Sequence, residues 1–99
     1  MKTAVASSGK TPDSMVSPAF GRAPHLIIYE NKTVIEVVKN PFSFGGGGSG
    51  LGVVQMLHNK NVGLVIAGNF GLNVIEALDE KNMSHKEVDN AIVSNVIIN

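Results

Sequence analysis

Apolar positions along this chain fall in short runs, each closed by glycine, proline or small polar residues. Ala4-Val5-Ala6 runs into Ser7-Ser8-Gly9, the pattern of a buried first strand over residues 2–7 that empties into a loop. From Gly9 to Pro24, three prolines (Pro12, Pro18, Pro24) and two glycines fix or free φ too often for helix or strand to persist. A loop of that length in a small domain is usually functional or disordered. Leu26–Tyr29 and Thr33–Val38 are rich in β-branched residues and predict an antiparallel hairpin, with Glu30, Asn31 and Lys32 as a three-residue connection.

After Asn40 the chain reads NPFSFGGGGSG and then LGVVQMLHNK, where Leu51, Val54 and Leu57 recur at helical spacing and predict a helix over 49–60. A short apolar run from Gly63 to Ala67 predicts a fourth strand, and Leu72, Ile75 and Leu78 a second helix over 71–81. Ser84 and Glu87 match a capping box, with Val88, Ile92 and Val93 on one side of a third helix over 85–93. Val96 to Ile98 fits either a terminal strand or a continuation of that helix. The order βββαβα followed by a C-terminal helix predicts a layered α/β domain with a mixed sheet.

Length and composition narrow this picture. At 99 residues the chain fits one domain spanning 1–99, since single cores split only near roughly 250 residues. An apolar share of 43% with 16% charged residues is that of a folded globular chain. Eight basic residues balance eight acidic ones, so no long-range field favours nucleic acid or anionic lipid. There is no cysteine, which removes disulfides, thiolate nucleophiles and the usual zinc and iron–sulfur ligands. No segment approaches the roughly 20 apolar residues of a membrane span, and the start is too short in apolar residues for a signal peptide, so a cytoplasmic protein is expected.

Candidate chemistry gathers in the loops. Gly45, Gly47 and Gly50 fit GxGxxG before a helix, so backbone N–H groups around Gly46 and Gly48 could face an anion. A dinucleotide reading needs a strand directly before the glycines and an acid about 20 residues on, and the nearest downstream acid is Glu76. The same glycines equally permit a tight turn against the sheet. Gly68, Asn69, Phe70 and Gly71 stand where the fourth strand should hand over to the second helix, the edge at which open α/β sheets take ligands. Asn69 and Asn73 could donate amides there or merely cap the turn. In the long loop, Ser17-Pro18-Ala19-Phe20-Gly21-Arg22 offers a guanidinium for a charged ligand, or for a surface ion pair. His25, His58 and His85 form no local metal pattern, and His25, beside the long loop, is the one that could serve as a ligand. The acids form no pair that would support hydrolysis, and no serine sits in a nucleophile elbow.

Taken in order, KTAVASSGKTPDSMVSPAFGRAPHLIIYE, GGGGSG and VGLVIAGNFGLNVIEAL resemble the dinitrogenase iron-molybdenum cofactor biosynthesis family over about residues 1–80. The resemblance implies a three-layer α/β/α, ribonuclease H-like fold and a non-catalytic carrier of an iron–molybdenum or iron–sulfur cluster. It further implies cluster-biosynthesis or acceptor proteins as partners. On that reading the cargo meets Ser17, Phe20, Gly21, Arg22, Gly46, Gly48, Gly68, Asn69, Gly71 and Asn73. Cluster-binding members often carry histidine where this chain has Ala19, which leaves His25 and the soft donor Met15 as nearby alternatives.

The family also has a glycine-led strand before its last helix, whereas here Lys81-Asn82-Met83 leads straight to Ser84. The expectation is therefore a sheet lacking that strand or completed by 96–98, with an open edge inviting a weak dimer. The runner-up function is a small interaction or regulatory module that keeps the fold without the cluster. A magnesium-dependent hydrolase or nuclease stands last, because the carboxylates are scattered.

Overall fold

Three sequence-adjacent strands open the domain: β1 (Lys2–Ser7), β2 (His25–Glu30) and β3 (Thr33–Lys39). The computed structural model describes residues 1–44 and 49–97, and of Ser49 the backbone alone. Asn31 and Lys32 turn the β2–β3 hairpin with φ of 52° and 66°, and Glu30 pairs directly with Thr33. The connection is thus two residues rather than three, both in the left-handed region that primed hairpin turns require. Helix α1 (Ser49–Asn59), strand β4 (Val62–Ala67) and helix α2 (Leu72–Glu80) follow close to the expected bounds.

The five-stranded sheet has the order β3-β2-β1-β4-β5, with β5 formed by Ser84–Glu87. β2 runs antiparallel to both neighbours, while β1, β4 and β5 are parallel. Side chains alternate across it. Ala4, Ala6, Leu26, Ile28, Val65 and Ala67 meet Val53, Val54, Leu57, Val74 and Leu78, so both helices cover one face. Each large side chain fully buried there contributes about 1.5–3 kcal/mol. Val5, Ile27, Tyr29 and Ile66 point the other way, onto Val16 and Val93.

Two expectations fail in this second layer. The third helix over 85–93 is absent: Ser84–Glu87 is strand, and a single 3-10 turn follows at Val93–Val96. Asn82, at φ 58°, ends α2, with the Met83 N–H donating to Leu78 O at 2.9 Å and the Asn82 N–H to Asp79 O at 3.1 Å. This helix-terminating motif buries Met83 and lays Ser84 against the free side of β4, where backbone pairing outweighs the capping-box signal. The sheet therefore keeps its fifth strand, and the argument for a dimer from a missing one falls away. Among the described residues no α-helix covers the second face, so the three-layer α/β/α arrangement is replaced by α1 and α2 on one side and irregular chain on the other.

That irregular chain includes the long first loop, which is well tied down. Val16 N–H donates to Ala91 O at 2.8 Å, Val93 N–H to Ser14 O at 2.9 Å, and Ser94 N–H to Pro12 O at 2.9 Å. Val88, Ile92 and Val93, expected on one side of a helix, are instead held as extended chain and turn against this loop and the sheet.

Candidate functional site

The loop after β1, the start of α1 and the start of α2 all lie at the carboxyl edge of β1 and β4, because both helices run back against the parallel strands. Between the first turns of the helices is a cleft of about 530 Å³, lined by Gly50, Leu51, Gly71, Leu72, Asn73 and Val74. Gly50 is there because the helices nearly touch: a Cβ on it would lie 2.5 Å from Val74 Cγ2 and 4.0 Å from Gly21 Cα. Gly21 thus lies beside Gly50, next to the residues that line the cleft.

Its electrostatics favour an anion. Gly71 caps α2 without a side-chain hydrogen bond, and neither helix has an acidic residue in its first turn. The amides opening α2 thus present a partial positive charge of the kind that helix starts use for anions. No acidic side chain lines the cleft.

The surrounding loops are fixed from behind. Ser17 N–H donates to Ala6 O at 2.8 Å, Gly68 N–H to Ser17 O at 2.9 Å and Phe20 N–H to Asn69 O at 3.2 Å. Phe20 and Phe70 stack at 5.1 Å, and Phe70 meets the edge of His85 at 5.1 Å. Asn40, 2% exposed, donates from Nδ2 to Gly21 O at 3.1 Å and to Ala23 O at 2.9 Å, while its Oδ1 accepts from Phe42 N–H at 2.8 Å.

The sequence-derived site therefore divides. Gly71 and Asn73 line the cleft, Gly21 lies beside Gly50, and Arg22 is exposed next to Gly21 in the chain. Ser17, Phe20 and Gly68 are scaffold: Ser17 is buried with its hydroxyl donating to Ala19 O at 3.1 Å, Phe20 is in the core, and Gly68 packs on Pro18. Asn69 is exposed and serves through its carbonyl. Gly46 and Gly48 lie outside the described residues. By strand alternation His25 shares with Ile27 and Tyr29 the sheet face away from the helices, and its buried Nδ1 has no hydrogen-bond partner among the described residues. No group of three or more His, Asp or Glu side chains is placed to hold a metal ion among the described residues.

Sequence reading missed Leu72 and Asn40. Leu72, which enters the sequence reading only through its helical spacing, is 81% exposed and lines the cleft. Asn40 was read only as the start of a loop, and nothing local signals its reach to residues 21 and 23.

These features define a small α/β domain with an open mixed sheet and a cleft between its two helix starts at the carboxyl edge. The chain belongs to the dinitrogenase iron-molybdenum cofactor family, whose model matches residues 1–98. A NifB-like protein from Thermotoga, solved by NMR, is 35% identical, covers 97% of this chain and 83% of its own, and superposes with a TM-score of 0.79. The apo orange protein of Desulfovibrio gigas shares the fold at a TM-score of 0.88 with 24% identity, over 97% of this chain and 82% of that one. A dinitrogenase-like protein of Methanocaldococcus jannaschii does so at 0.60 with 19% identity, over 98% and 84%. The comparison with curated proteins returns no match. Among the described residues no helix is long and apolar enough to cross a membrane.

Proposed function

We propose that this protein is a non-catalytic carrier that holds an anionic iron–molybdenum or iron–sulfur cluster in the cleft between the first turns of α1 and α2. The observation that carries the reading is the convergence of two helix starts without acidic residues on one cleft of about 530 Å³. Membership of the dinitrogenase iron-molybdenum cofactor family supports a cargo of this class. With no cysteine in the chain, retention rests on hydrogen bonds from backbone amides, the Asn73 side chain and the charge of Arg22 rather than on thiolate bonds. Such a hold is reversible, as delivery to an acceptor requires.

Leu72 and Leu51, 81% and 44% exposed at the rim, supply an apolar contact for a cluster-donating or cluster-accepting protein. The same rim supports the second reading, an interaction module without cargo. Anaerobic gel filtration after incubation with isolated iron–molybdenum cofactor or an iron–sulfur cluster separates the two. A carrier co-elutes with stoichiometric metal, in wild type and in His25→Ala alike. Absence of metal from the protein peak leaves the interaction module.

A further inference from the structure

On the sheet face away from the helices, a second groove of about 280 Å³ runs from the β2–β3 turn across β1 and β4 toward β5. Thr3 pairs with both Tyr29 and Leu64, and these three form a floor that Ile66 extends. Lys32 stands at one end, on the hairpin turn, and Lys86 at the other, on β5. Both are exposed, and among the described residues neither has an ion-pair partner and no acidic side chain lines the groove. In a chain of zero net charge this is a local excess of two cations around an apolar floor.

Tyr29 adds a specific demand. The residue is only 5% exposed, and its hydroxyl is buried without a hydrogen-bond partner among the described residues. Buried phenols ordinarily find one, and the groove is the space that the Tyr29 ring borders. Burial raises the phenol above its ordinary pKa of 10.0, so it stays protonated.

We propose that this groove is a second binding site, for a short aliphatic dicarboxylate. One carboxylate takes Lys32 and, on displacing the side chains that cover it, the Tyr29 hydroxyl; the methylene chain lies on Leu64 and Ile66, and the other carboxylate meets Lys86. The separation suits such a ligand: β2 to β5 spans three strand intervals, about 14 Å at ~4.8 Å each, part of it bridged by the lysine side chains. The volume is just under the range of roughly 300–1,000 Å³ for drug-sized ligands, as a short chain needs.

The test is titration with octanedioate, octanoate and octanediol. Tyr29 is the single tyrosine and there is no tryptophan, so intrinsic fluorescence reports this site directly, with calorimetry for the phenylalanine variant. The expected result is saturable binding of octanedioate, about tenfold weaker binding of octanoate and none of octanediol. Tyr29→Phe weakens octanedioate binding by roughly tenfold with the melting temperature unchanged or raised. Lys86→Gln brings octanedioate down to octanoate. No saturation with octanedioate overturns the proposal, as does equal binding of octanediol, or wild-type affinity in both variants.

Discussion

Gly50 and Val74 are the point at which α1 and α2 meet, with a Cβ on Gly50 placed 2.5 Å from Val74 Cγ2. Valine is stiff at χ1, so it cannot swing aside at little cost. Gly50→Ala gains up to about 1 kcal/mol of helix propensity but meets overpacking of about 1–3 kcal/mol, for a net loss near 1 kcal/mol. Urea unfolding should show a lower midpoint at unchanged slope. Because the same contact sets the cleft width, cluster retention should fall as well.

A sharper contrast lies between two other glycines. A Cβ on Gly68 would stand 2.7 Å from Pro18 Cα and 2.9 Å from Pro18 O, which are backbone atoms with nowhere to go, whereas one on Gly71 meets nothing within 4 Å. Gly68→Ala should lose about 2–3 kcal/mol, and Gly71→Ala no more than about 1 kcal/mol. Thermal melts of the pair measure the difference.

Asn40 closes the first loop onto the sheet through its amide bonds to Gly21 and Ala23. Asn40→Ala should destabilise by about 2–3 kcal/mol through the unpaired carbonyls and amide left behind. Asn40→Asp should not restore stability, since a carboxylate has no proton to donate to those carbonyls. Amide exchange in residues 20–24 should rise in both variants.

Tyr29 makes alkaline stability a readout of its burial. Its phenol titrates above 10.0 when folded, because burial disfavours the phenolate. Below about pH 10 both states hold the proton and stability does not depend on it; above that, the unfolded chain releases the proton first and stability falls as pH rises. Unfolding followed by tyrosinate absorbance should show this decline in wild type, and Tyr29→Phe should lack it.

Much of this architecture was legible because burial left its period in the chain. The first four strands and both helices follow apolar runs and glycine boundaries. β5 was not legible, since Ser84-His85-Lys86-Glu87 has no apolar residue and is strand only because the turn at Asn82 delivers it to β4. Charged residues on an edge strand guard against unwanted pairing, and they also erase the strand signal. Glycine punctuation pointed to Gly71, which lines the cleft, and to Gly21, whose Cα lies beside Gly50. It could not separate Gly68, packed on Pro18, from Gly71, open to the cleft, because that distinction depends on what lies opposite in space. His25 was close to the loop in sequence, but strand alternation turns it to the far face.

Gly71→Asp asks whether the cleft between the helix starts holds an anionic cluster. Gly71 has φ −72° and open space at its Cβ, so aspartate fits and caps α2, raising stability by a few tenths of a kcal/mol or more, up to about 1. The same carboxylate places a fixed negative charge where the cargo must sit. Gel filtration with metal analysis after anaerobic loading should find the cluster on wild type and not on this equally well-folded variant. Wild-type metal content in Gly71→Asp would contradict the account and place the cargo elsewhere.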